Sequence, residues 1–108
     1  MIGCPCAVCT SGDARLIRTR SSIHLQTEEF SILVDTGPDL REQALREGLK
    51  KVDAVLYTHA HLDHITGFDE LRAFCWNRDA PLPLYGSPSC LAEIRRIFEW
   101  AFLPTNTY

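Results

Sequence analysis

The sequence has no long apolar run and no segment that resembles a signal peptide. No stretch approaches the roughly 20 consecutive apolar residues that a bilayer crossing requires. The first residues, MIGCPC, contain neither the basic region nor the apolar region of a secretory signal. We therefore expect no membrane partner and a cytoplasmic location. In that reducing setting, the five cysteines are expected to be thiols or metal ligands rather than disulfides.

Excess positive charge and internal repeats are also absent. The formal net charge is −3, so the chain has no basic field that would hold a phosphate backbone, and charge disfavours nucleic acid as a partner. With 108 residues, the chain has room for one domain at most. Its composition, 45% hydrophobic and 23% charged, is typical of an ordinary globular protein.

Strand and helix patterns alternate along the chain, which predicts a mixed α/β fold with helices stacked on a sheet. Residues 1–14 are expected to be irregular. The predicted elements, in chain order, are strands over 23–27 and 30–35, a helix over 39–47, a strand over 52–57, a helix over 68–76, a strand over 81–86 and a helix from Ser87. The first two strands are expected to form an antiparallel hairpin.

Several details of these elements can be predicted as well. Asp39 and Glu42 have capping-box spacing at the start of the first helix, and Gly48 is expected to end it. The strand over 52–57 is nearly all apolar, which predicts burial on both faces. Prolines in the strand over 81–86 favour a sheet edge. The helix over 68–76 is expected to bury Phe68, Leu71 and Cys75. The apolar face of the last helix is expected to consist of Leu91, Ile94, Ile97 and Phe98.

Three of the four histidines fall within YTHAHLDHITG, residues 57–67, directly after an apolar strand. In an extended segment His59 and His61 point the same way, whereas Asp63 and His64 follow a bend and can reach a second point. Four such ligands suit two metal ions about 3.5–4 Å apart. Imidazole and carboxylate ligands suit zinc, with manganese or iron as alternatives. A polar surface loop without metal is the simpler interpretation, but α/β folds place their sites at the ends of buried strands.

The stretch GCPCAVC, residues 3–9, contains three thiols. Cys4 and Cys6 are too close for an unstrained disulfide, and Cys6 and Cys9 have the CxxC spacing of a zinc knuckle or a redox pair. Three thiolates need a fourth ligand to complete a tetrahedral zinc site. The candidates in the chain are His24, Cys75 and Cys90; His24 can also be explained as a strand residue, and the two cysteines by helix packing.

The sequence THAHLDH resembles the signature of the metallo-β-lactamase superfamily, whose fold is an αββα sandwich with a binuclear metal site at one edge of its two sheets. The resemblance implies that His59 and His61 bind one metal and that Asp63 and His64 bind the other. Asp35, in LVDTG, matches the strand-end Asp-x-Gly element of the family. It is thereby implied to steady the ligand loop without binding metal; a turn-forming or helix-capping aspartate is the alternative.

The cysteine stretch is similar to a Gly-Cys-x-Cys-x-x-Cys element of the phosphoribosyl cyclic phosphodiesterases within this superfamily, and a pyrroloquinoline-quinone biosynthesis relative carries a similar element. The resemblance implies a structural zinc at Cys4, Cys6 and Cys9. In the phosphodiesterases a histidine from the C-terminal half is the fourth ligand.

The resemblance implies a metal-dependent hydrolase, and specifically a phosphodiesterase acting on a small, cyclic-type phosphodiester. Two catalytic zinc ions would activate hydroxide, and Asp63 would orient or deprotonate it. The presence of His64 points away from the β-lactamases, which commonly lack it. The alternatives are a non-catalytic zinc-binding or quinone-cofactor-biosynthesis protein, a glyoxalase II-like thioesterase and, disfavoured by charge and by the cysteine stretch, a nuclease of transfer-RNA processing.

The resemblance covers all 108 residues but only part of the superfamily pattern. It divides the chain into a zinc-knuckle-like loop, residues 1–14, and a first-half sheet with helices, residues 15–108. No histidine follows His64 to supply the later ligands of the family. We therefore expect the N-terminal half of the sandwich, a fragment whose missing C-terminal half lies in a longer polypeptide or a complementary chain. Alone, this chain is expected to bind zinc weakly and to be inactive.

Overall fold

A computed structural model describes residues 2–76 and 78–103 and confirms the mixed α/β class. Its four strands form one sheet in the spatial order β1-β2-β3-β4. The strands are β1 (Ile23–Gln26), β2 (Ser31–Val34), β3 (Ala54–Leu56) and β4 (Leu84–Tyr85). The pair β1 and β2 is antiparallel, as the predicted hairpin requires, and the other two pairs are parallel. The proline-flanked β4 lies at a sheet edge, which confirms that prediction.

Among the described residues, the α-helices over 40–47 and 88–97 lie near their predicted positions, and one end of each has the predicted chemistry. The short α-helix over 62–65 was not predicted, and the helix predicted over 68–76 is a 3-10 helix. The helices are α1 (Leu40–Glu47), α2 (Leu62–Ile65) and α3 (Pro88–Ile97), and the 3-10 helices are Ala14–Leu16, Phe68–Phe74 and Glu99–Phe102. Gly48 ends α1 with a left-handed φ of 64°. The Ser87 hydroxyl accepts a hydrogen bond from the Cys90 backbone N–H at the start of α3. None of the helices in the described ranges has the length and apolar character that a membrane crossing needs.

The predicted capping role of Asp39 is wrong. Its side chain makes no cap hydrogen bond to α1. It accepts instead from the Arg20 backbone N–H at 2.7 Å, and it pairs with the Arg20 guanidinium at 2.9 Å. The Arg20 guanidinium is charged, so its hydrogen bond to this carboxylate is stronger than one from a backbone N–H at the helix start. Asp39 therefore ties the segment before β1 to the start of α1.

The core lies on one face of the sheet, between the strands and the helices. Its buried members are Leu33, Leu40, Val52, Val55, Tyr57, Ile65, Phe68, Leu71, Cys90 and Ile94. In α3, Ile94 is fully buried while Leu91, Ile97 and Phe98 are half-buried. The prediction that Cys75 is buried is wrong, because the segment forms a 3-10 helix that ends at Phe74 and leaves Cys75 exposed.

The opposite face of the sheet is apolar and exposed among the described residues. Side chains alternate between faces along a strand, so the strand register places Ile23, Val34, Leu56 and Tyr85 side by side on this face. Ile23 is 55% exposed, Leu56 38% and Tyr85 54%. The prediction that the strand over 52–57 is buried on both faces is therefore wrong for the face that carries Leu56.

Candidate metal centre

The predicted ligand loop begins where β3 ends and runs into α2. Asp35 directly follows β2, the parallel neighbour of β3, and its backbone N–H donates to the Leu56 carbonyl at 2.8 Å. Since parallel strands present their carboxyl ends at the same edge of a sheet, this topology places Asp35 behind the histidine loop. Two segments more than 20 residues apart in sequence thus meet at one point.

The structure brings the four predicted ligands onto one surface patch. The ring centroids of His59 and His61 lie 4.6 Å apart, and those of His59 and His64 lie 4.1 Å apart. The Asp63 Oδ2 atom is 3.6 Å from Nε2 of His64. His61 and Asp63 are exposed, whereas His59 and His64 are half-buried. Each of these contacts joins only two residues of the patch. Within the described ranges, the residues that form a group of three or more, with all ligand atoms within 4.8 Å of one another, are Cys4, Cys6 and Cys9.

Backbone contacts hold the histidine loop against the end of β2. The Thr36 N–H donates to the His64 carbonyl at 2.8 Å, and the Gly67 N–H donates to the Thr36 carbonyl at 2.8 Å. A β-carbon on Gly37 would lie 2.6 Å from the Asp63 carbonyl oxygen. Because a side chain at Gly37 would separate the two segments, glycine at this position lets the loop approach this closely.

Asp35 is buried and serves as an acceptor for the ligand loop. It is 5% exposed and has a left-handed φ of 61°, a conformation that aspartate and asparagine tolerate better than most residues. Its Oδ1 accepts from the Thr58 N–H at 2.8 Å, and its Oδ2 contacts the Thr58 hydroxyl at 2.7 Å and His64 Nδ1 at 2.8 Å. Burial raises the pKa of Asp35, but the hydrogen bonds from Thr58 and His64 outweigh burial, so the pKa is lowered overall.

Thr58 is a site residue that the sequence analysis did not identify. Its hydroxyl also contacts His59 Nδ1 at 2.9 Å, so one side chain touches both Asp35 and a predicted ligand. The position of Thr58 directly before His59 is only a weak sequence signal for a role in the site. Its contact with Asp35 arises because β2 and β3 are neighbours, and the sequence around Thr58 does not show this pairing.

The imidazoles are held in a way that fits metal binding. The Nδ1 atoms of both His59 and His64 have hydrogen-bond partners on the protein side, and Nε2 is left for a ligand. Metal-binding histidines commonly have their second nitrogen held in this way by a carboxylate or another protein group. His59, His61, Asp63 and His64 are therefore the residues that would hold metal at this patch.

A buried pair of hydroxyls lies beneath the loop. Thr36, which is 0% exposed, shares a 2.8 Å hydrogen bond with the Tyr57 hydroxyl. Burial raises the pKa of Tyr57 well above its ordinary value of 10.0. Both residues flank site segments, since Thr36 follows Asp35 and Tyr57 precedes Thr58. The pair thus fixes the two segments to each other from within the core.

The three N-terminal thiols form a compact group, as the predicted structural zinc site requires. A tetrahedral site with Zn–S bonds of about 2.3 Å places its sulfur atoms about 3.8 Å apart, and the sulfur atoms here all lie within 4.8 Å of one another. A hydrogen bond from the Cys9 backbone N–H, together with contacts from the Cys4 and Cys9 thiols, lowers the pKa of Cys6 from 9.0 to about 7. Cys6 is therefore partly thiolate at neutral pH, which suits a zinc ligand.

The three candidate fourth ligands are engaged elsewhere. His24 lies on β1, where its Nε2 contacts the Ser31 hydroxyl at 2.9 Å. The Cys75 thiol donates to the Leu71 carbonyl at 3.3 Å, and Cys90 is buried in the core. None of them joins the thiol group within the described part of the chain.

This chain is similar to known proteins in both sequence and structure. The family model of the beta-lactamase superfamily domain matches residues 31–107. A solved structure described as a new diphosphatase from the PhnP family is 45% identical to this chain, with a TM-score of 0.89 over 94% of the chain. The zinc-bound PqqB structure from Methylobacterium extorquens is 32% identical, with a TM-score of 0.66 over 87% of the chain. An octanoyltransferase of Porphyromonas gingivalis is 43% identical over 102 residues, or 94% of the chain.

The chain spans only part of each of these proteins. It covers 41% of the diphosphatase, 34% of the PqqB chain and 20% of the octanoyltransferase. The family-model match, residues 31–107, contains β2, β3 and the histidine loop.

Proposed function

The chain belongs to the metallo-β-lactamase superfamily, and on that premise we propose that it supplies metal ligands to a hydrolase that cleaves phosphodiester bonds. One observation carries the proposal: four donor side chains share a loop whose two half-buried imidazoles are both held at Nδ1. Such contacts at the second ring nitrogen are characteristic of metal-binding histidines.

In the proposed site, His59 and His61 hold one divalent cation, and Asp63 and His64 hold a second. Cations bound at such a site lower the pKa of water towards 7 and neutralise the charge on phosphate oxygens. Zinc fits these donors best, and manganese or iron fits them as well. Asp63 is exposed at the patch, where its carboxylate can orient an attacking water or accept its proton.

A phosphorus-containing substrate is favoured by the similarity to the diphosphatase, which is 45% identical over nearly the whole chain. The similarity to the octanoyltransferase does not argue for acyl transfer by this chain, because the match covers one fifth of that protein. We further propose that hydrolysis requires additional ligands from a longer polypeptide or a complementary chain, since the patch offers each cation two side chains.

A second candidate function is a zinc-binding or cofactor-biosynthesis role without catalysis. It is favoured by the compact thiol group and by the similarity to zinc-bound PqqB. In that case zinc binds at Cys4, Cys6 and Cys9, while the histidine patch has no metal.

Metal counting and a hydrolysis assay distinguish the two candidates. The chain is studied alone and within the longest polypeptide that its gene encodes, with zinc or manganese, against cyclic and bis-aryl phosphodiesters. We expect about three bound metals and hydrolysis in the longer protein, and weak binding with no turnover in the isolated chain. One tightly bound zinc and no hydrolysis would favour the second candidate.

A matched pair of variants tests whether the patch is responsible. Asp63→Asn removes a proposed ligand and should abolish hydrolysis in the longer protein. Asp69→Asn changes an exposed aspartate on the 3-10 helix Phe68–Phe74, and activity should be retained. Equal losses in both variants would contradict the assignment of Asp63.

A further inference from the structure

We propose that Thr58 is a positioning residue that fixes the ring proton of His59 on Nδ1 and thereby leaves the lone pair on Nε2. The inference rests on the proposed function only in the statement that the Nε2 lone pair binds a metal ion. The position of the proton is a property of this chain and can be measured without metal.

Two neighbouring groups share the Oδ2 atom of Asp35 as an acceptor. An ionised carboxylate only accepts hydrogen bonds. Its Oδ2 lies 2.7 Å from the Thr58 hydroxyl and 2.8 Å from His64 Nδ1, so both of these groups must donate to it. His64 therefore carries its proton on Nδ1 because it contacts the carboxylate directly.

The Thr58 hydroxyl has a single proton to share between its two contacts. A hydroxyl donates once, and this proton is committed to Asp35 Oδ2. Towards His59 Nδ1, 2.9 Å away, the hydroxyl oxygen can then only accept. Nδ1 of His59 must carry the proton, since the other tautomer would place two lone pairs against each other. Asp35 thus sets the tautomer of two histidines, one directly and one through Thr58.

The backbone explains why Thr58 can make both contacts. Its N–H donates to Asp35 Oδ1 at 2.8 Å, so the residue contacts both carboxylate oxygens through its main chain and its side chain. This two-point attachment holds the hydroxyl between Asp35 and His59. By contrast, the described part of the chain shows a ring contact but no hydrogen bond for the His61 imidazole, so nothing there sets its tautomer.

The experiment measures the tautomers directly in the full 108-residue chain. Histidine ring nitrogens are labelled with ¹⁵N, and long-range ¹H–¹⁵N spectra are recorded without metal at about pH 8, above the ordinary histidine pKa of about 6.5. His59→Gln and His64→Gln variants assign the signals. We expect the Nδ1–H form for both His59 and His64. An Nε2–H signal for His59 in the unmodified chain would overturn the inference without any further variant.

Two substitutions at Thr58 test the mechanism. Thr58→Val keeps the shape but removes the hydroxyl, so His59 should lose its preference for Nδ1–H while His64 keeps it. Thr58→Ser restores the hydroxyl and should restore the His59 signal. A purely structural role would disturb both histidines or neither, and an unchanged His59 signal in the valine variant would also overturn the inference.

Zinc addition separates this inference from the proposed function. Zinc binding at the patch should shift the His59, His61 and His64 signals, and Thr58→Val should weaken this binding by about 10- to 100-fold. If excess zinc shifts none of these signals while His59 shows Nδ1–H, the proposed function fails and the inference on Thr58 stands.

Discussion

Gly67 packs so closely against Gly37 that a β-carbon on Gly67 would lie 2.1 Å from the Gly37 carbonyl oxygen. The two residues bring the end of β2 and the end of α2 together behind the histidine patch. Gly67 has a φ of −83°, so its backbone conformation suits any residue, and close approach is what requires glycine here. We predict that Gly67→Ala lowers the free energy of unfolding by about 1–3 kcal/mol or more, as overpacking does.

Urea denaturation of the two chains measures this loss. Gly12→Ala is the matched control, because Gly12 has a φ of +67° but a β-carbon added there would meet no atom within 4 Å. Its cost should be about 1 kcal/mol, from backbone strain alone. If the two variants lose the same stability, close packing at Gly67 is not the cause.

The buried Tyr57 hydroxyl predicts a loss of stability in alkaline solution. Burial raises the pKa of Tyr57 in the folded chain above its ordinary value of 10.0. In the unfolded chain the phenol therefore loses its proton at a lower pH than in the folded chain. The stabilising contribution is complete below about pH 10 and falls as the pH rises further. Denaturation series from pH 8 to above 10 should show this decline.

Tyr57→Phe should reduce the alkaline decline and cost about 1–3 kcal/mol near neutral pH, because the Thr36 hydroxyl loses its partner. The control is Tyr85→Phe, which removes an exposed phenol on β4. Its pH profile should follow that of the unchanged chain. A Tyr57→Phe profile that declines as steeply as the parent would contradict the role of this phenol.

Asp35→Asn separates the backbone requirement at position 35 from the charge requirement. Asparagine tolerates the left-handed φ of 61°, so the turn should persist. The amide, however, replaces one of the two accepting oxygens with an NH₂ group, which only donates. The hydrogen bonds at that position are lost: either the one from the Thr58 N–H, or the two from the Thr58 hydroxyl and His64 Nδ1. We predict that zinc affinity at the histidine patch falls by about 10- to 100-fold. Zinc titration followed by the ¹⁵N signals of the histidine rings measures it, because these signals report the histidine patch and not the cysteine group.

The same substitution at the exposed Asp69 serves as a control for the loss of one negative charge. Zinc affinity should be unchanged in Asp69→Asn, since Asp69 lies outside the patch. Comparable weakening in the two variants would mean that overall charge, rather than the contacts of Asp35, determines zinc binding.

The lowered pKa of Cys6, about 7, predicts selective reactivity in the metal-free chain. About half of the Cys6 thiols are ionised at pH 7, and the thiolate fraction decreases as the pH falls. Cys75 as a whole residue is exposed, but its thiol is partly buried against the Leu71 carbonyl, and this burial raises its pKa, so it should react more slowly at this pH. Mass spectrometry after brief alkylation should find Cys6 modified before Cys75, with a rate midpoint near pH 7. Added zinc should protect Cys6, and a reversed order would contradict the lowered pKa.

Much of the fold could be predicted from sequence because its signals are local. The β1–β2 hairpin follows from two β-rich runs separated by a polar pair, and Ser87-Pro88 begins α3 through contacts within one helical turn. The histidines and Asp63 lie close together because a single short loop contains them. Mutual proximity of these side chains was therefore predictable, whereas their role as ligands stays a prediction.

Other features depend on segments that are far apart in sequence. Asp39 has the spacing of a helix cap, but its carboxylate instead accepts hydrogen bonds from Arg20, which lies 19 residues away in sequence. Thr58 contacts Asp35 because β2 and β3 are adjacent and parallel, and no pattern around Thr58 indicates that pairing. The two-face burial predicted for the strand over 52–57 was wrong because an apolar sequence does not show whether a second layer covers it.

The sheet has an apolar face formed by Ile23, Val34, Leu56 and Tyr85. Because of this face, the measured stability of the chain is expected to depend on protein concentration. Apolar surface that remains in water favours self-association, and association of folded chains draws the folding equilibrium towards the native state by mass action. Unfolding midpoints should therefore rise with concentration, and dilution series are required before any two variants are compared.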